Sequence, residues 1–227
     1  MSSRAVQLAL QSSQRERAAE FEAGAALWEA FFGNASVARQ TATDALRLST
    51  GRDVEYGAAF ALALTGDLQA SESLAQKLAE PFPEDTSVQF SYLPALRALC
   101  ALDRRDPGNA LGALENAVPY DFAVPASSYY FFFGALYPVY VRGEAYLAAH
   151  RVTEAVTEFQ KILAHRGMVL ADPVGIMARF ELGRALSMAG DKAKAKAAYQ
   201  DFLTLWKDAD PDVPILKEAK AEYARLF

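Results

Sequence analysis

The sequence predicts an all-α fold made of antiparallel helix pairs, and three observations carry that prediction. Apolar residues recur at helical spacing through most of the 227 residues. Short turns containing Gly, Asp or Pro interrupt them, and the paired pattern comes round at intervals of 33 to 45 residues. Small residues fall where paired helices would have to touch. The clearest case is Ile176 to Pro211. Phe180, Leu182, Gly183 and Leu186 mark a first helix, Ala189 to Asp191 the turn, and Ala195, Tyr199, Phe202, Leu203 and Trp206 the apolar stripe of a second. Gly183 and Ala195, twelve residues apart, let the helix axes approach, and Tyr199 fills the space one turn further on.

From the amino terminus, residues 4 to about 32 read as one long helix, with Phe21, Ala25, Leu27, Trp28 and Phe31 on its apolar side and Gly33-Asn34 ending it. A helix at about 36–48 follows and closes at Gly51. Asp53 is placed to cap a helix at about 54–64, and Thr65-Gly66-Asp67 turns it into one at about 68–80, stopped by Pro81 and Pro83. Helices at about 86–102 and 107–118 come next, the second with Asp106 as cap and Pro107 in its first turn. A long aromatic helix is expected from 126 to about 149, and its partner at about 152–165. The loop 165–171 is longer than a standard connection. Asp172-Pro173 then opens the pair already described, and Pro214 to Leu226 make a final helix with Leu216, Ala219, Tyr223 and Leu226 on one side.

First-helix small residues are Ala26, Ala59, Ala98, Gly143 and Gly183, spaced by 33, 39, 45 and 40, and each has Ala or Ser twelve positions later (Ala38, Ser71, Ala110, Ala155, Ala195). Gly33, Gly66 and Gly190 mark turns, and Phe159 and Tyr199 follow the second small residue by four. This pattern resembles the tetratricopeptide repeat. The resemblance implies an α-solenoid, a right-handed superhelix of about five helix pairs (4–49, 53–80, 86–118, 126–165 and 172–207) in one domain, with a capping helix at 212–227. One pair cannot bury its own faces, so neighbours stack.

Stretches such as Ala26 to Asp67, Phe82 to Leu102, Gly134 to Ala148, Glu158 to Gly167 and Asp201 to Ala224 also resemble the carboxy-terminal repeat region of eukaryotic-like serine/threonine kinases of the kind abundant in acidobacteria. Similar regions follow winged-helix domains in regulators. What the resemblance implies is a signalling accessory region. The chain has no kinase motif, so no phosphoryl-transfer residue carries over; it is expected to be a fragment or a stand-alone set of repeats.

Composition narrows the chemistry. With 23 basic and 28 acidic residues and a net charge of −5, the chain lacks the cationic surface a nucleic acid needs. Cys100 is its one cysteine, so neither an intrachain disulfide nor a cysteine zinc site can form; a buried helical residue is the plain reading. His150 and His165 form no ligand spacing, Glu20/Glu22 and Asp208/Asp210 read as solvated faces, and Lys192, Lys194 and Lys196 as a solvent face. No catalytic residue, metal or cofactor is expected, so the chain reads as no enzyme. The amino terminus has only a six-residue apolar run, and Tyr129 to Val141 is thirteen residues long with a proline; neither suits a membrane span.

A protein–protein interaction module is the function these features favour. In the family it resembles, the concave surface is lined by first-helix positions flanking the small residue. Carried onto this chain, they give Tyr56, Phe60, Tyr92, Leu99, Tyr137, Tyr140, Glu144, Phe180 and Arg184 as candidates to hold a peptide or partner helix. The same rings could instead pack between first helices or against the long first helix. The alternative function is structural, a homodimer or docking on an attached kinase or regulator domain. A cytoplasmic location is the default expectation, extracytoplasmic if the region follows a membrane helix.

Overall fold

The computed structural model describes residues 2–131 and 133–227. Among them are fourteen α-helices and no strand. The helices are α1 (Ser2–Gln11), α2 (Arg15–Phe31), α3 (Ala35–Leu48), α4 (Arg52–Leu64), α5 (Leu68–Ala79), α6 (Leu93–Asp103) and α7 (Pro107–Leu114), then α8 (Ala126–Phe131), α9 (Tyr137–Ala148), α10 (Val152–Ala164), α11 (Arg166–Val169), α12 (Val174–Met188), α13 (Lys192–Leu205) and α14 (Pro214–Ala224). No helix of the described residues is long and apolar enough to cross a membrane.

Six helix junctions are built alike. At each, one residue has a positive φ: Ser13 (58°), Gly33 (88°), Gly66 (80°), Arg105 (61°), His150 (57°) and Gly190 (77°). The next N–H bonds back to the carbonyl five residues earlier: Gln14 to Ala9, Asn34 to Glu29, Asp67 to Leu62, Asp106 to Ala101, Arg151 to Tyr146 and Asp191 to Leu186, at 2.8–3.0 Å. This closure satisfies carbonyls that the helix end leaves free. Three of the six then start the next helix with an aspartate whose carboxylate accepts a backbone N–H: Asp67 from Ala70, Asp106 from Asn109 and Asp191 from Lys194.

Each such turn folds the chain back, so α2 packs on α3, α4 on α5, α6 on α7, α9 on α10 and α12 on α13. Neighbouring pairs are joined by α2 on α4, α4 on α6, α6 on α9 and α10 on α12. A single apolar cluster runs from Ala26 to Leu226.

Several local expectations are corrected. The long first helix is two, because Ser13 takes the left-handed turn and separates α1 from α2. Asp53 does not cap α4, whose N-cap is Gly51; it lies in the first turn, paired with Arg52 and accepting the Tyr92 hydroxyl at 2.7 Å. The 86–102 helix has a wide π turn at Val88–Tyr92, and the 107–118 helix tightens into a 3₁₀ segment, Glu115–Tyr120, around Pro119. The aromatic helix from 126 to 149 divides into α8 and α9. Gly134 (φ 109°) and Leu136 (φ 62°) carry the chain around a corner, and Pro138 sits in the first turn of α9, where its missing N–H costs nothing. Phe132, inside that run, lies outside the described residues. The loop 165–171 contains the single-turn helix α11.

The last helix does more than cap. It packs on α13, and the Ile215 N–H donates to the Phe32 carbonyl at 3.2 Å, while Pro214 lies against Gly33. Trp206 meets Phe32 edge to face at 4.8 Å. The carboxy-terminal elements therefore touch the first hairpin's turn.

Candidate binding site

Seven of the nine groove candidates are buried, and Tyr56, Phe60, Tyr92, Tyr137 and Tyr140 are brought together around Phe31. Tyr56, Phe60, Tyr92, Tyr137 and Phe180 are fully covered, and Tyr140 and Leu99 nearly so. The cause is α2. Its Phe31 reaches the rings of Phe60, Tyr137 and Tyr140 at 5.5–5.9 Å. Tyr56 stacks on Tyr92 at 3.7 Å, and Phe60 meets Tyr137 at 4.7 Å. Phe133, from the corner between α8 and α9, lies fully buried against the α2 and α4 glycines Gly24 and Gly57. An aromatic core held at these distances leaves no surface for a ligand, so these rings do not line an open groove.

Glu144 and Arg184, both half-buried, belong to a charge network beside that core. Arg184 forms ion pairs with Glu181 at 2.8 Å, with Glu222 at 2.8 Å and with Glu218, and lies 4.1 Å above the Phe180 ring. Tyr199 donates its hydroxyl to Glu222 at 2.7 Å. Burial pushes the carboxyls of Glu144 and Glu181 up, Glu144 to about 6 and Glu181 well above the usual range. The like charge of each carboxylate adds to the desolvation that disfavours ionising Glu181. The network ties α9, α12, α13 and α14 together. A second one, unforeseen in the sequence, joins Arg142 on α9 to Glu158 on α10 (2.6 Å) and to Asp121 after the 3₁₀ segment (2.7 Å), with Lys161 completing it.

An accessible pocket of about 290 Å³ lies instead where the two ends of the fold meet. Trp28 and Phe32 from the end of α2 form one wall, Leu205 and Trp206 from the end of α13 another, and α11 with its flanking loop and the first turns of α12 a third. Trp28, Leu170 and Leu205 are 37, 53 and 62 % exposed, unusual values for such side chains when grouped around one concavity. Leu170 has φ 52° and ψ −116°, a backbone conformation costly for leucine, and it is carried out to the rim. Ile162 and Leu163 of α10, the buried Asp172, and Arg166 and Arg179 also line it; among the described residues neither arginine forms an ion pair. Arg179 donates to the Gly175 carbonyl at 2.8 Å.

A second cleft, between α5, α6 and α7, borders Cys100. Burial pushes that thiol up, and Cys100 is 4 % exposed, as a packed helical residue would be. No cluster of His, Cys, Asp and Glu that could hold a metal occurs among the described residues. His165 bonds the Lys161 carbonyl through Nδ1 at 2.7 Å and packs on Phe122, and His150 occupies a turn.

Sequence reasoning placed Trp28 and Trp206 on apolar helix faces and found the overlong 165–171 loop. It did not join them, because their meeting depends on the return of the chain's end to its beginning. No protein-family model and no curated protein matches the chain.

Proposed function

We propose that the protein is a non-catalytic interaction module of tetratricopeptide-like helix pairs, binding a segment of a partner protein at the Trp28/Leu170/Trp206 pocket rather than in a concave groove. The observation that carries this reading is the pocket itself: exposed aromatic and aliphatic side chains from three parts of the chain, gathered at one concavity with two arginines that form no ion pair among the described residues. Aromatic and arginine side chains are the types that dominate protein-binding surfaces. Support for the repeat reading comes from the six like turns and from Gly143 and Gly183, each facing the aromatic ring sixteen residues on. A cytoplasmic signalling accessory role belongs to the same reading.

The test is site-specific photocrosslinking in the source cell. A benzophenone side chain at position 170 is expected to trap a protein partner, and the same group at exposed Val37 on α3 is not. Crosslinks from both positions alike, or from neither, would overturn the assignment.

The alternative of self-association or docking on a further domain has its own observation. Val118, Phe122 and Tyr130, all at least half exposed, lie along the segment between α7 and α9. Light scattering across a concentration series decides it, since a concentration-independent monomer removes the dimer.

A further inference from the structure

The pocket at the meeting of the two ends is largely apolar; its ionisable lining is Arg166 and Arg179 at the rim and the buried Asp172, whose carboxyl burial pushes well above the usual range and so towards the neutral form. Arg166 and Arg179 both line it, and neither has a carboxylate partner among the described residues, although the chain as a whole carries a net charge of −5. Most of the other buried or half-buried arginines are paired: Arg52 with Asp53 and Asp85, Arg142 with Asp121 and Glu158, Arg184 with three glutamates. Arg179 is the half-buried exception. Burial first, and then the nearby Arg166 charge, hold its guanidinium below the ordinary range, with Asp201 only partly opposing. Two like charges held together beside apolar walls are unfavourable until an anion joins them.

Size narrows the occupant. At about 290 Å³ the pocket falls at the lower edge of the roughly 300–1,000 Å³ that enclose a whole small molecule, and it suits one inserted side chain. The exposed Trp28, Leu170 and Leu205 extend the apolar surface beyond it, as contact with a longer chain would require.

We propose that the pocket binds an acidic segment of a partner protein, with one aliphatic side chain between Trp28, Phe32, Ile176 and Trp206 and a flanking Asp or Glu carboxylate bonded by Arg166 and Arg179. This rests on the reading of the protein as an interaction module and adds the chemistry of what it binds. Bidentate guanidinium–carboxylate bonding fixes the direction of the bound segment. The acidic remainder of the surface repels anionic chains elsewhere, which confines them to this rim.

Both tryptophans of the chain line the pocket, so intrinsic fluorescence reads its occupancy directly. The probe is the peptide acetyl-Gly-Glu-Leu-Leu-Glu-Gly-amide, which has no chromophore of its own, titrated into the full chain. A saturable spectral shift is expected. The peptide with Gln for both Glu binds at least about tenfold more weakly, and the Lys version does not bind. Arg166→Ala, at an exposed position, and Arg179→Gln each weaken binding about tenfold with unchanged circular dichroism, whereas Arg151→Ala, on a distant turn, has no effect. Affinity falls as salt is raised. Equal binding of the Gln peptide, no saturation at millimolar peptide, or tighter binding of octanoate than of the peptide would each overturn the proposal, the last in favour of a small amphiphile. A partner crosslinked from position 170 together with a failed peptide series would leave the module reading standing and remove only the acidic chemistry.

Discussion

The Phe159 ring occupies the space that a side chain on Gly143 would need: a Cβ built on that glycine lies 2.6 Å from Phe159 Cε1. Gly183 and Tyr199 repeat the relationship one pair later, at 3.0 Å. Alanine is the better helix former by about 0.5–1 kcal/mol, but overlap in a packed interface costs about 1–3 kcal/mol, so overlap wins. Gly143→Ala should therefore destabilise by about 1–2 kcal/mol and Gly183→Ala by less. Urea melts should show that order, and Phe159→Leu should restore part of the loss in Gly143→Ala. A Gly143→Ala protein as stable as the original would refute the close approach.

The turns make an opposite prediction. Arg105 and His150 hold positive φ at positions where three other turns have glycine. The left-handed conformation costs a side-chain-bearing residue about 1–2 kcal/mol, and glycine returns about 0.5–1 kcal/mol of that through its freer unfolded chain. Arg105→Gly should stabilise by up to about 1 kcal/mol and His150→Gly by less, since histidine tolerates the region better. Gly190→Ala should lose about 1 kcal/mol. Melting temperatures of the three variants check the signs.

The Glu144–Glu181 pair gives a pH dependence. Burial raises the folded pKa of Glu144 to about 6, above its ordinary 4.5, and that of Glu181 further. The folded chain then keeps a proton that the unfolded chain loses. The stability contributed is full below about 4.5 and is lost as pH rises through about 6. Glu144→Gln, which stays neutral and removes the like charge beside Glu181, should flatten the fall between pH 4.5 and 7 and be more stable than the original at pH 8. Chemical denaturation at several pH values measures it; parallel curves for the two proteins would count against a raised Glu144 carboxyl.

Arg142 is 4 % exposed between two carboxylates. Arg142→Met leaves Asp121 and Glu158 buried with only Lys161 to offset them, and should cost about 3–5 kcal/mol. A loss under about 1 kcal/mol would place the network in solvent.

The helices themselves were legible because they follow from spacing and turn chemistry. Helices α3, α4, α5, α10, α12 and α13 begin and end within about two residues of expectation. Breaks were not, where one residue overrides its neighbours: Ser13 has no turn-forming composition, and the α8–α9 corner hides in an aromatic run. Tyr56, Phe60 and Tyr137 were rightly grouped but wrongly exposed. Side-chain type gives the same signal for a binding surface and a core, and only the path of α2 across them decides which it is. The pocket was illegible for a related reason, since Trp28 and Trp206 lie 178 positions apart in sequence.

The Phe32–Ile215 backbone bond and the Phe32–Trp206 contact bear on how the molecule comes apart. A linear array of repeats frays from its ends, because a terminal unit answers to one neighbour only. Here the terminal segment is also fastened to the opposite end, so peeling it away uncovers both the first hairpin and the last. Partial unfolding from the carboxyl end thereby loses its advantage over complete unfolding, and the chain should melt as one cooperative body. The same fastening sets folding speed. Contacts between residue 32 and residues 206 and 215 close almost the whole chain into a loop, which places this molecule among slower folders than its local helical hairpins alone would suggest.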